Sequence, residues 1–262
     1  MALTDGSNSG KVMVMEYSSG AWVTLGSSCS SLGDEVAIAP SGTLPFVVFE
    51  DLGSLNFGDT ALQFTASSAV TIGNVGFTSS YGRYPAIYVY NGTPYVVFRD
   101  ETNSWKTSVM TYAGGVWTYL GTPGLSAPQS QDNQENAIYV DNGTPYVAFG
   151  DDPNGGKAIV VKYTGSAWTT VGSPDFTTGN AGGLSLAVDN GTPYVAYQDG
   201  GNGFKATVMK FNGTTWVTVG NAGFSPDMAF FYSNDLVVYN GTPYVAFGDE
   251  AHGGNASVMV FN

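Results

Sequence analysis

Four carboxylates lie where a loop leads into a predicted strand, and their positions suit acid–base chemistry. They are Glu35, Asp132, Glu135 and Asp235. Two carboxyl groups about 5–10 Å apart, one of which holds its proton near neutral pH, can cleave a glycosidic bond. A hydrolase or lyase that acts on glycans is therefore one function that these residues allow. Because the sequence contains one histidine and one cysteine, we expect neither a Ser–His–Asp triad nor a Cys/His metal cluster.

Aromatic and polar side chains collect in the same loops. The candidate ligand-binding residues are Tyr81, Arg83, Tyr84, Gln131, Asp132, Glu135, Phe230, Phe231, Tyr232 and Asp235. An aromatic ring can stack on a sugar while polar groups bond its hydroxyls. The sequence favours a non-catalytic recognition module that binds a glycan or another extracellular ligand, such as a protein. The glycan-active hydrolase or lyase is the first alternative, and a structural spacer in a larger surface protein is the second.

An aspartate recurs at one position of the sequence, and in four cases a lysine follows six residues later. The residues are Asp5, Asp51, Asp100, Asp151, Asp199 and Asp249, with Lys11, Lys106, Lys157 and Lys205. An Asx-type turn with a surface ion pair accounts for this pattern. Oxygen-rich loops such as DDPNGG would also suit Ca²⁺, which takes six to eight oxygen ligands. We expect no cofactor, with calcium as the alternative.

The charge balance limits the partners. Eight basic and 21 acidic residues give a net charge of −13. Such a surface repels phosphate backbones, so we expect no nucleic-acid partner. No apolar run approaches the roughly 18 residues of a membrane helix, so we expect no membrane insertion.

A repeat positions these residues. The phrase NGTPYV begins at Asn91, Asn142, Asn190 and Asn240, and a distorted copy begins at Ser41. A period of about 50 residues is typical of propellers and solenoids. The copy at 183–220 divides into predicted strands a (184–189), b (193–198), c (205–211) and d (216–219). Asn-Gly pairs predict tight a–b and c–d hairpins, and the continuous apolar run of strand b predicts burial on both faces.

Aromatic residues mark the same unit. Trp22, Trp117, Trp168 and Trp216 begin strand d, each five residues after an aromatic at the end of strand c. We expect these residues to pack between blades. Four residues of the d–a loops, Phe77, Leu125, Phe176 and Phe224, are expected to anchor those loops.

The fold predicted from this pattern is all-β: a five-bladed β-propeller of four-stranded antiparallel blades. The ring closes when N-terminal strand d completes the C-terminal blade. Residues 1–262 then form a single domain, with units at roughly 1–26 (partial), 27–73, 74–121, 122–172, 173–220 and 221–262 (partial). Residues 1–17 are redundant here, so their deletion should leave a folded ring, and the spare strand favours self-association. A six-bladed ring, whose first blade lacks its inner strand, is the alternative.

The turns predict which side of the blades carries the site. The a–b and c–d turns are short and nearly invariant, whereas the d–a loops vary in length and composition. Alternate turns of an antiparallel blade lie on opposite sides. Since function resides more often in variable loops, we expect the site on the d–a and b–c side.

The order of apolar strand a, PYVAFGD strand b, strand c and Trp-led strand d resembles the kelch or galactose-oxidase type of propeller repeat. The repeats are also similar to those of large bacterial secreted or surface proteins. The kelch diglycine after strand b is replaced by GD, QD or RD. The resemblance implies a secreted or cell-surface location, although no signal peptide begins this sequence.

Overall fold

The computed structural model describes residues 1–6, 9–26, 32–42, 44–127, 136–230 and 234–261. These residues form an all-β β-propeller of six antiparallel blades without an α-helix. Two compact units, Met1–Leu125 and Ser126–Asn262, contain three blades each. The prediction of a β-propeller with four-stranded blades is confirmed. That residues 1–262 form a single domain stays a prediction.

The first unit contains blades 1 to 3. Blade 1 consists of β1 (Ala2–Asp5), β2 (Lys11–Ser18) and β3 (Ala21–Leu25). Blade 2 consists of β4 (Gly33–Ala39), β5 (Phe46–Asp51), β6 (Asp59–Phe64) and β7 (Ala69–Thr71). Blade 3 consists of β8 (Gly82–Tyr90), β9 (Thr93–Asp100), β10 (Lys106–Ala113) and β11 (Val116–Tyr119). Each strand pairs with the next along the chain within its blade.

The second unit contains blades 4 to 6, again in chain order. Blade 4 consists of β12 (Asn136–Asp141), β13 (Thr144–Asp151), β14 (Lys157–Tyr163) and β15 (Trp168–Thr170). Blade 5 consists of β16 (Ala181–Asp189), β17 (Thr192–Asp199), β18 (Lys205–Phe211) and β19 (Trp216–Thr218). Blade 6 consists of β20 (Asp235–Tyr239), β21 (Thr242–Asp249) and β22 (Asn255–Val260). Among the described residues, short 3₁₀ helices follow five of the b strands, at Leu55–Phe57, Glu101–Asn103, Asp152–Asn154, Gly200–Asn202 and Glu250–His252.

The NGT phrase is the a–b hairpin that the sequence predicts. Asn91, Asn142, Asn190 and Asn240 have φ of 48°, 48°, 51° and 50°. The glycine that follows each also has positive φ, between 76° and 79°. Two consecutive left-handed residues form the type I′ turn that suits twisted hairpins. The phrase is a joint of the scaffold.

The preferred count of five blades was wrong, and the six-bladed alternative is confirmed. The N-terminal segment forms its own sheet because β1 pairs with β2 from Ala2 opposite Val14 to Asp5 opposite Lys11. Strand β3 pairs with β2 in the same sheet. Within the described residues, blades 1 and 6 therefore have three strands each. Self-association through a terminal strand stays a prediction.

The core of the first unit also contradicts the expectation that residues 1–17 are dispensable. Val12 and Val14 are fully buried and pack with Val47 and Phe49 of blade 2. Burial of a valine or phenylalanine side chain stabilises a fold by about 1.5–3 kcal/mol. Blade 1 is thus part of the core of this unit.

Trp117 and Trp216 of strand d pack against residues that follow the preceding blade, which confirms the predicted packing between blades for these two. Trp216 stacks on Phe176, with ring centroids 4.1 Å apart, and its Nε1 donates to Val171 O at 2.8 Å. Trp117 stacks on Phe77 at the same distance. Trp22 differs, because the residue is 54% exposed.

Candidate functional site

Two neighbouring a strands, β4 and β8, carry matching bulges in the first unit. The pairing of β4 shifts between Asp34 and Ala37, and that of β8 shifts between Arg83 and Ala86. Glu35 and Tyr84 follow the last residue paired before each shift, with φ of 49° and 52°. A bulge redirects the side chain, and left-handed backbone is costly for residues other than glycine. Strained residues of this kind are often found at functional sites.

Three acidic residues form a row across blade 2. Asp34 on β4 lies opposite Glu50 on β5, and Glu50 lies opposite Asp59 on β6. The same three positions of blade 5 hold Gly182, Gln198 and Ala206. Blade 2 therefore differs from blade 5 in having three acidic residues side by side on neighbouring strands.

Glu35 lies beside this row in a partly buried position. Its Oε2 accepts a hydrogen bond from the backbone N–H of Tyr84, while its own N–H donates to Asp34 Oδ1 at 2.9 Å. Burial raises the pKa of Glu35 from 4.5 to about 7. Glu50 and Asp34 also raise the pKa, whereas the Tyr84 N–H and Arg83 lower it. The carboxyl group of Glu35 can therefore hold a proton near neutral pH.

The other two members of the row are buried more deeply. Glu50 is 5% exposed, and burial raises its pKa, which Arg83 lowers and Asp34 raises further. Asp59 is fully buried, and burial raises its pKa well above 3.8. Neither carboxylate oxygen of Asp59 has a hydrogen-bond partner among the described residues. The absent side chain of Gly82 leaves the space that the Asp59 carboxylate occupies.

A cation and aromatic rings border the acids. The Arg83 guanidinium carbon lies 5.5 Å from the Tyr81 ring centroid and 6.0 Å from that of Trp105. Tyr81 in turn stacks on Phe57 at 5.0 Å. Burial raises the pKa of Tyr84, which Glu35 raises further and Arg83 lowers.

Blade 2 confirms the side on which the variable loops lie. Tyr81 belongs to the d–a connection after blade 2, and Phe57 to the b–c turn of that blade. The backbone N–H of Asp59 donates to Thr78 Oγ1 at 2.8 Å. The two loop classes therefore meet at one end of the blade, beside the acids.

The ten candidate ligand-binding residues fall into three groups. Tyr81, Arg83 and Tyr84 lie together in the first unit, next to Glu35. Phe230 and Asp235 lie in the second unit, where both side chains are exposed. Gln131, Asp132, Glu135, Phe231 and Tyr232 lie outside the described residues. The ligand-binding role of all ten stays a prediction.

Sequence reasoning missed Asp34, Glu50, Asp59 and Trp105. A signal was present for two of them. Glu50 directly precedes the recurrent aspartate of blade 2, and the matching residue is a glycine in blades 4 and 6, at positions 150 and 248. Asp59 stands where blades 4, 5 and 6 have an alanine, at positions 158, 206 and 256. Comparing the copies position by position would have identified blade 2 as exceptional.

The recurrent aspartates act in turns. Asp51, Asp199 and Asp249 accept a hydrogen bond from the backbone N–H two residues later, at 3.0, 3.0 and 3.1 Å. The predicted ion pair is wrong for Lys205, whose Nζ donates to Pro226 O at 3.1 Å. Within the described residues, no three His, Cys, Asp or Glu side chains converge as a metal-binding group. The calcium alternative stays a prediction.

Other surfaces offer less chemistry. A pocket of about 420 Å³ in the second unit is lined by Val208, Val219, Gly220, Phe224, Met259 and Phe261, among others. No acidic or basic residue lines it, so it has no group for acid–base chemistry. In the part of the chain that the structure describes, no helix has the length and apolar character needed to cross a membrane.

Comparison with known proteins finds weak structural similarity. No protein-family model and no curated protein matches the chain. A similar solved structure is that of an α-L-arabinofuranosidase from Clostridium thermocellum ATCC 27405. It has 16% sequence identity and a TM-score of 0.49, over 87% of this chain and 89% of that chain. Similarity at this level carries no inference about this chain.

The non-catalytic recognition module favoured by the sequence is corrected here. The solved structure named above is that of an arabinofuranosidase, and its TM-score of 0.49 is too low to carry an inference about the function of this chain. In the first unit, Glu35 has a raised pKa and lies beside the exposed Asp34. The glycan-active alternative therefore fits the findings better.

Proposed function

We propose that the chain is a glycan-active hydrolase whose acid–base site lies at Glu35 in the first unit. The observation that carries the proposal is the pairing of Glu35, partly buried at a strained bulge, with Asp34, whose carboxylate is exposed and bonded to the Glu35 N–H. Two adjacent carboxyl groups in different environments divide the acid and base roles of glycoside hydrolysis. The weak similarity to a solved enzyme does not carry this proposal.

The proton of Glu35 passes to the glycosidic oxygen as the bond between that oxygen and the anomeric carbon breaks. A water molecule adds to the anomeric carbon, and Asp34 takes the proton that this water releases. Asp34 suits the base role because its side chain reaches solvent. Glu50 suits a positioning role, since it is buried and its charge helps to raise the pKa of Glu35.

Tyr81, Tyr84 and Trp105 would supply aromatic contacts beside the acids. All three side chains are partly exposed. A sugar ring stacks on such faces through its C–H groups while its hydroxyl groups face the carboxylates. The kelch-like repeat type and a secreted or cell-surface location also belong to this proposal, and they rest on the resemblance of the repeats.

The test is the release of reducing ends from a panel of neutral and acidic polysaccharides. The wild-type chain should cleave at least one of them, and E35Q and D34N should lose most of that activity. Glu16 on β2 is exposed, so E16Q is the matched control and should retain it. No cleavage of any polysaccharide, or full activity of E35Q, would reject the proposal.

A further inference from the structure

Arg83 is a cation that the proposed acid–base steps leave unused. Its guanidinium lies near the Tyr81 and Trp105 rings. Among the described residues, no carboxylate oxygen lies within 4.0 Å of its nitrogens, and its buried Nε has no hydrogen-bond partner. Cation–π contacts place this charge without neutralising it. A hydrogen bond between the guanidinium and the Tyr84 hydroxyl lowers the pKa of that hydroxyl, and the remaining N–H groups of Arg83 retain hydrogen-bonding capacity for a ligand.

The position of Arg83 puts this charge beside the proposed acid. Arg83 directly precedes Tyr84, whose N–H binds Glu35. Its charge lowers the pKa of both Glu35 and Glu50 although it forms no ion pair with either. The guanidinium is thus close enough to these acids to influence both carboxyl groups.

Blade 3 has two arginines opposite each other at the position of Arg83. Arg83 on β8 lies opposite Arg99 on β9, and like charges opposite each other on neighbouring strands repel. The same two positions in blade 5 hold Gly182 and Gln198, which carry no charge. Arg99 is buried and its Nε donates to Trp105 O at 3.4 Å, so blade 3 carries two cationic residues on paired positions next to Trp105.

We propose that Arg83 binds the carboxylate of a uronic acid residue next to the bond that Glu35 would protonate. The planar guanidinium matches a carboxylate through two parallel hydrogen bonds, which a neutral sugar cannot offer as a charged pair. This inference rests on the proposed glycan-cleaving function and names its substrate class. Since the chain carries a net charge of −13, recognition of an anionic glycan has to come from such a local group.

The experiment compares two probes that differ in one charge per sugar: tetragalacturonate and its methyl ester. Binding to the full chain is measured by calorimetry at about 0.15 M salt, where exposed charges are screened beyond about 8 Å. The wild-type chain should bind the acid about 10- to 100-fold more tightly than the ester, the range expected for a charged hydrogen-bonded pair. Quenching of Trp105 fluorescence, assigned with W105F, gives a second readout.

Three variants make the comparison specific. R83Q should bind the acid as weakly as the ester, and R83K, which keeps the charge but loses the planar fork, should fall between. Lys210 Nζ lies 5.9 Å from the Tyr194 ring centroid in blade 5, so K210Q is the control for losing a ring-bound cation. K210Q should keep the preference for the acid. Melting temperatures verify that each variant is folded.

The outcomes separate this inference from the proposed function. Equal binding of acid and ester, no binding of either, or unchanged selectivity in R83Q would overturn the role of Arg83. Cleavage of neutral polysaccharides without a preference for uronates would also overturn it while leaving the hydrolase standing. Selective binding of the acid that depends on Arg83, without release of reducing ends, would support the carboxylate site and reject the hydrolase.

Discussion

Glu35 accepts a hydrogen bond from the backbone N–H of Tyr84, and the two residues occupy the same position of matching bulges on adjacent a strands. Both residues have left-handed backbone. The matching residue of blade 5 is Gly183, and a glycine adopts this conformation without strain, unlike Glu35 and Tyr84. The repeat thus places an acid of one blade against the backbone of the next. This contact orients the carboxyl group proposed as the proton donor.

The raised pKa of Glu35 predicts a pH-dependent effect on stability. The unfolded carboxyl ionises near 4.5 and the folded one near 7, so the stability that the protonated group contributes is present below pH 4.5 and lost as pH rises to 7. E35Q should therefore raise the free energy of unfolding at pH 8 by about 1–2 kcal/mol, after allowing for partial solvation, and leave it unchanged at pH 4. Urea unfolding at both pH values measures this. Equal effects at pH 4 and pH 8 would refute the shift.

Gly82 should not tolerate a side chain. A Cβ there would overlap the carboxylate of Asp59, so G82A should lower the free energy of unfolding by about 1–3 kcal/mol, as overpacking of a core does. The double variant D59A/G82A should recover most of this loss. Gly6 has open space around it, so G6A is the control. A fully stable G82A would mean that Asp59 does not lie where the structure places it.

The d-strand tryptophans should differ sharply in their contribution to stability. Trp216 is 8% exposed and stacked on Phe176, so W216A should lower the free energy of unfolding by about 3–5 kcal/mol. Trp22 is largely exposed and its ring contacts that of Tyr17, so W22A should lower the free energy of unfolding by less than about 1 kcal/mol. Denaturant unfolding compares the two. Similar losses would contradict the open position of Trp22.

Removal of residues 1–17 should destabilise the first unit. It takes away Val12 and Val14, which cover Val47 and Phe49. Two valine burials correspond to several kcal/mol, so we expect a drop in melting temperature on the order of 10 °C. An unchanged melting temperature would restore the five-bladed arrangement in which these residues are redundant.

Local chemistry in the sequence predicts the repeating scaffold well. The Asn-Gly pairs specify hairpins because they accept positive φ, and the tryptophans mark strand d because they fill the spaces between blades. The blade count failed at β1, because four residues at the N-terminus suffice to pair with β2 and start a separate sheet. Sequence spacing alone does not decide which sheet an end strand joins.

The candidate site was only partly predictable, for a similar reason. Tyr81, Arg83 and Tyr84 stand out because they lie in a variable loop. Glu50 and Asp59 lie inside strands, and only the pairing register brings them into one row with Asp34. The bulge that turns Glu35 toward Tyr84 places one extra residue in β4 relative to β5. Position 35 is not a glycine, so the sequence carries no signal for this bulge.

The most direct test of the acid role of Glu35 is the pH profile of kcat/KM on a polysaccharide that the chain cleaves. A general acid must be protonated in the free enzyme, so kcat/KM should fall as pH rises through about 7, the pKa to which burial raises Glu35. E35Q should lose activity at all pH values, and E16Q should reproduce the wild-type profile. A profile without a falling limb between pH 6 and pH 8, or an active E35Q, would contradict the account.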